Sequence, residues 1–119
     1  MTIEQFVEKF ESLYEKIRIA TLNGDYISGN RAEKEKRKLY NKLSQDEELT
    51  INVLEILLKS SNVVARISAA SYLLKLNVNV KFCLKMLKEI SKNKEYGIFC
   101  FNAEMTLKVY NGEIPNRTL

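Results

Sequence analysis

An all-α fold is predicted for this chain, and three observations carry the prediction. Apolar residues recur at steps of three and four over most of the length, which is the helical period. One proline and four glycines are spread through 119 residues, so few breakers interrupt the pattern. The β-branched residues form no alternating runs of the kind a half-buried strand needs. With 45% hydrophobic and 29% charged residues, the composition is that of an ordinary globular protein. The length fits one domain spanning residues 1–119.

The first helix opens at Thr2, which forms a T-x-x-Q capping box with Gln5. Ile3, Phe6, Val7, Phe10, Leu13, Tyr14 and Ile17 then mark its buried face, and Asn23-Gly24 ends it. Asp25 caps a second helix that runs to about Leu43. Eight charged residues between Arg31 and Lys42 turn most of it to water, while Tyr26 and Leu43 are expected to bury at its ends. Asp46, Glu47 and Glu48 suit the positive end of a third helix, with Leu49, Val53, Leu54, Leu57 and Leu58 inward. Asn62 caps a fourth helix, and Asn77-Val78-Asn79 breaks it. A fifth helix covers Val80 to Lys92, with Cys83, Leu84, Leu87 and Ile90 inward. A sixth runs from roughly Tyr96 to Tyr110 and stops at Asn111-Gly112, before Pro115. A frayed tail is expected over about 113–119. Six helices joined by such short connections should pair as antiparallel hairpins.

The ends and the cysteines bound the setting. No basic segment followed by an apolar stretch opens the chain, and no run approaches the ~18 apolar residues of a membrane span. Cys83 and Cys100 both fall in helical apolar patterns. Two buried thiols in a reducing compartment, a bacterial or similar cytoplasm, are the expectation.

A resemblance emerges over residues 49–77. Leu54-x-x-Leu57-Leu58, followed by Asn62-x-x-Ala65-Arg66-x-x-Ala69-Ala70-x-x-Leu73, resembles one HEAT repeat. Paired leucines close its outer helix, and a cap, an arginine and small residues open its inner one. Ala69 and Ala70 permit close helix approach. Gly24-Asp25, Asn30-Arg31, this repeat, Ala103-x-Met105-Thr106-Leu107 and Gly112 occur in the order seen in a small bacterial family of HEAT-like proteins of unknown function. The resemblance implies a HEAT/armadillo-like right-handed stack of hairpins, and it implies no catalytic residues.

The chemistry-bearing residues point away from catalysis. Histidine, the commonest general base and metal ligand at neutral pH, is absent. Two cysteines seventeen residues apart make no zinc site by themselves. Neither Asn23-Gly24-Asp25 nor Ser28-Gly29-Asn30 has phosphate-loop spacing. The Asp46-Glu47-Glu48 cluster reads as a solvated helix start. Asn30, whose helical neighbours Tyr26 and Ile27 are expected to face inward, is expected to be a buried amide satisfied by the first helix, and Arg66 to be the repeat's turn-stabilising arginine. No enzyme, cofactor or metal is therefore expected.

Charge distribution is the remaining clue. The net charge is +4, yet residues 59–94 alone hold eight basic side chains and one acidic. Lys81, Lys85, Lys88 and Lys92 follow steps of four, three and four, which places them on one face of the fifth helix. Lys34, Lys38 and Lys42 make a similar line on the second. Such rows suit an anionic partner, although a solvated outer face opposite Leu84 and Leu87 requires lysines as well. Nucleic-acid surfaces add arginine and aromatics, and here only Phe82 stands beside the row. The expected function is thus a non-enzymatic protein-binding module with an acidic partner protein, by analogy an immunity or antitoxin-like protein that masks it. Nucleic-acid binding through the lysine-rich face is the alternative. No membrane partner is expected, and the oligomeric state is left open.

Overall fold

The computed structural model describes residues 1–115. Its described residues form six α-helices and one 3-10 turn, with no strand: α1 (Ile3–Asn23), α2 (Tyr26–Leu43), α3 (Glu47–Leu57), α4 (Val63–Lys75), α5 (Val80–Lys92), the turn Lys94–Tyr96, and α6 (Ile98–Tyr110). The described residues divide into two compact units, residues 1–66 and those from Ile67 on, with the division inside α4.

In the first unit the boundaries follow from capping. Thr2 Oγ1 accepts from the Gln5 N–H at 3.2 Å, and Gln5 Oε1 accepts from the Thr2 N–H at 2.9 Å, so the capping box closes in both directions. At the other end Gly24 takes φ +66°. Its N–H donates to the Thr21 carbonyl and that of Asp25 to the Ala20 carbonyl, two carbonyls the helix would otherwise leave open. Asp25 Oδ1 then accepts from the Ser28 N–H and starts α2 at once. A link this short makes α1 and α2 a hairpin, and they pack against each other and against α3. Gly29 faces α1 closely, since a Cβ built on it would lie 3.5 Å from that of Ala20.

Phe6, Phe10, Tyr14, Ile17, Leu43, Val53, Leu54 and Leu57 are buried in this unit, with the Phe10 and Tyr14 rings stacked at 6.0 Å. Burying a side chain of this size contributes roughly 1.5–3 kcal/mol. One buried polar group is fully engaged: Thr50 Oγ1 lies 2.9 Å from the Leu43 carbonyl and 2.7 Å from that of Asp46, bridging the end of α2 to the start of α3. Asp46 Oδ1 accepts from the Leu49 N–H as the cap of α3.

The structure corrects three expectations for α2. Tyr26 and Ile27 are 81% and 74% exposed, and Asn30 is exposed beside them. The buried face runs instead through Ala32, Lys36 and Leu43. Lys36 lays its stem along the unit and ends in an ion pair with Glu33 at 2.8 Å.

In the second unit α5 packs on α6, and the 3-10 turn packs on α6. Leu73, Cys83, Leu87, Ile90, Phe99 and Ala103 are buried. Asn77 and Asn79 both adopt left-handed backbone, at φ +59° and +51°, and make the break between α4 and α5. α6 starts later than expected, at Ile98. Gly97 at φ +57° separates it from the turn that holds Tyr96. Cys83 is buried, whereas Cys100 is only half-buried, and both are free thiols. Residues 113–115 lie past the last helix, and 116–119, the rest of the expected tail, fall outside the described residues.

Candidate functional site

α5 is the most strongly two-faced helix of the chain. Cys83, Leu87 and Ile90 occupy one side and are buried, and Lys81, Lys85, Lys88 and Lys92 occupy the other and are exposed. Eleven residues of helix rise place the four ammonium-bearing positions along about 16 Å. Among the described residues none of the four has an ion-pair partner. Together with half-buried Leu84 and with Glu89 they line a shallow open groove of about 380 Å³. Phe82 stands 50% exposed at its N-terminal end.

Packing explains why this row can persist. Lysines three and four apart repel each other by a few tenths of a kcal/mol per pair. Burial of Cys83, Leu87 and Ile90 outweighs that cost, so α5 can carry like charges on its outer side.

The second expected row, Lys34, Lys38 and Lys42, is also exposed on one face of α2 and makes no ion pair among the described residues. Arg37 and Arg31 are exposed on the same helix, but so is Glu35. The row on α2 belongs to the first unit and the row on α5 to the second, and each is a surface of its own unit.

One further charged row lies outside the sequence-based candidates. Glu4, Glu8 and Glu11 are exposed along α1, opposite the buried Phe6, Phe10 and Leu13. Among the described residues they make no ion pair, whereas Glu15, next in the row, is held by Arg18 and Asn62. The Arg18 hydrogen bond holds the Glu15 carboxyl below the usual range. Helical spacing of the glutamates was the available signal.

A groove of about 350 Å³ lies between α1 and α2, where Lys16 and Arg31 stand with Asp25 and Glu35 over Ile19 and Ala32. Its charges are mixed. Asp46, Glu47 and Glu48 cap and lead α3, and among the described residues no three His, Cys, Asp or Glu side chains converge as a metal site requires. No described helix is long and apolar enough to cross a membrane. Burial pushes the Cys83 thiol up to about 11, away from the thiolate form that nucleophilic chemistry uses.

The chain matches no protein-family model, no curated protein and no solved structure.

Proposed function

We propose that this chain is a non-enzymatic protein-binding module, and that the lysine row of α5 seats an acidic surface of its partner. The observation that carries the reading is the row itself: four exposed lysines without ion pairs, on one line, flanked by Leu84 and Phe82. Charges held unpaired on a helix face are available to a partner's carboxylates. The apolar flank gives a protein surface contacts that a phosphate backbone would not use. The lack of arginine in the row also weighs against nucleic acid, because the planar guanidinium is the usual bidentate phosphate reader. Masking a partner, as immunity and antitoxin-like proteins do, is the role that suits a small helical protein with exposed charged rows, and this rests on analogy.

The test is a titration at low salt. A helical peptide with glutamates at steps of four, three and four, labelled for anisotropy, should bind the intact chain. The Lys85→Glu and Lys88→Glu double variant should bind it roughly 10-fold more weakly, given ~0.2–1 kcal/mol for each exposed pair and added repulsion. Tighter binding of a duplex or single-stranded oligonucleotide than of the peptide, abolished by the same variant, would assign the face to nucleic acid instead.

A further inference from the structure

The acidic row of α1 and the basic row of α5 share one pattern. Glu4, Glu8, Glu11 and Glu15 follow the same steps of four, three and four as Lys81, Lys85, Lys88 and Lys92. The correspondence extends beyond the charges. Phe6, Phe10 and Leu13 are buried on α1 at the positions that Cys83, Leu87 and Ile90 occupy on α5. Val7 and Leu84, both half-buried, flank the two rows at equivalent places. Each row therefore points away from its own unit, at the same angle to the buried side and with the same rise of about 16 Å. Glu4, Glu8 and Glu11 are exposed and unpaired, as are all four lysines.

We infer that the partner seated on the α5 lysine row is a second copy of this chain, presenting the glutamate row of its α1. The inference rests on reading the α5 row as a protein-docking surface, and it names the occupant. Charge complementarity at matched spacing is the argument. Laid face to face, the two helices put a carboxylate opposite an ammonium at each step, and no register shift by one or two residues does so. The same rows oppose any pairing of like with like, because α1 against α1 or α5 against α5 brings equal charges together. Glu15 is already committed to Arg18 and Asn62, so three pairs do most of the holding.

Such contact is weak and sensitive to salt. Three exposed ion pairs of ~0.2–1 kcal/mol each reach at most ~3 kcal/mol, so association no tighter than the millimolar range is expected at low ionic strength. It should fade as the screening length contracts from roughly 10 Å at 0.1 M salt to roughly 3 Å at 1 M.

Sedimentation velocity on the intact chain, at about 20 mM and about 500 mM salt and over a concentration series, reads this directly. The wild type should sediment faster with concentration at low salt only. Lys85→Glu with Lys88→Glu, and separately Glu8→Lys with Glu11→Lys, should each remain monomeric, with circular dichroism confirming that both stay helical. Mixing the two variants should restore association, because each then supplies a row that complements the other. A chain with all four reversals should regain self-association on its own. A wild type that is monomeric under every condition, or variants that associate as the wild type does, would overturn the inference. If the wild type stays monomeric while the acidic peptide still binds in a Lys85- and Lys88-dependent way, the docking reading stands and the second copy is excluded.

Discussion

Asn62 and Glu15 are forty-seven positions apart in sequence and joined by a 3.0 Å hydrogen bond, Asn62 Nδ2 donating to Glu15 Oε2. The same amide caps α4 with its other end, since Oδ1 accepts from the Val64 N–H at 2.9 Å. One side chain thus starts a helix and ties that start to the middle of α1.

Asn62→Ala should lower stability by ~0.5–2 kcal/mol, the usual range for a lost N-cap. Asn62→Asp keeps the capping acceptor but sets a carboxylate against Glu15. It should be destabilising in the native background and recover when Glu15→Gln is added, a coupling that urea denaturation of the four proteins measures. Arg18 lowers the Glu15 carboxyl below its ordinary value of 4.5. The Glu15 contribution is therefore present above about 4.5 and is lost as pH falls through the lowered value.

Thr50 makes a prediction about shape against polarity. Thr50→Val preserves volume and removes the Oγ1 donor from the Leu43 carbonyl, which keeps the Asp46 N–H at 3.1 Å, a loss of ~0.5–1.5 kcal/mol. Thr50→Ser keeps the hydroxyl and should cost less. Thermal unfolding of the pair separates the two contributions.

The two glycines of the α1–α2 hairpin should respond with opposite signs. At Gly29 a Cβ meets Ala20 at ordinary contact distance, so Gly29→Ala should stabilise by ~0.5–1 kcal/mol through helix propensity. Gly24 holds φ +66°, where Gly24→Ala costs ~1–2 kcal/mol. Denaturation midpoints of the single variants give both signs.

These helix boundaries were legible in the sequence because caps are local chemistry. The T-x-x-Q box, Asn23-Gly24 and the asparagines around Val78 act within one turn, and they place the ends of α1, α4 and α5 where expected. The orientation of α2 was not legible. Its inward face is made of Ala32, Lys36 and Leu43, with Gly29 at the close approach, and small or long-stemmed residues carry little hydrophobic signal. Tyr26 and Ile27 carry a strong one and point to water, and Asn30 goes with them. The lysine row was readable from spacing alone. The glutamate row on α1 is equally regular, but on that helix the apolar pattern of Phe6, Phe10 and Leu13 is the stronger signal.

The cysteines should separate by reactivity. Cys83 is buried and its thiol is raised to about 11, while Cys100 is half-buried. At pH 8 an aromatic disulfide reagent should label one thiol of the folded chain quickly, Cys100, and the second only as the chain opens. The raised thiol adds stability that is complete below about 9, its ordinary value, and declines as pH climbs toward 11.

The lysine row should cost the fold a little. Lys85→Gln removes like-charge neighbours at Lys81 and Lys88, so it should raise stability by ~0.2–0.5 kcal/mol at low salt. The gain should vanish at high salt, where screening already does the same work. A stability gain accompanied by weaker binding would mark the row as kept for a partner.

The spacing of that row has a consequence for direction. Four, three, four reads the same from either end, so the charges fix how far a bound helix may slide but not which way it runs. Polarity must come from groups that lack this mirror symmetry, and Phe82, beside the first lysine, is placed to supply it. Moving the last charge by one residue, with Ser91→Lys and Lys92→Ser, would make the row directional and turn a two-way reader into a one-way one.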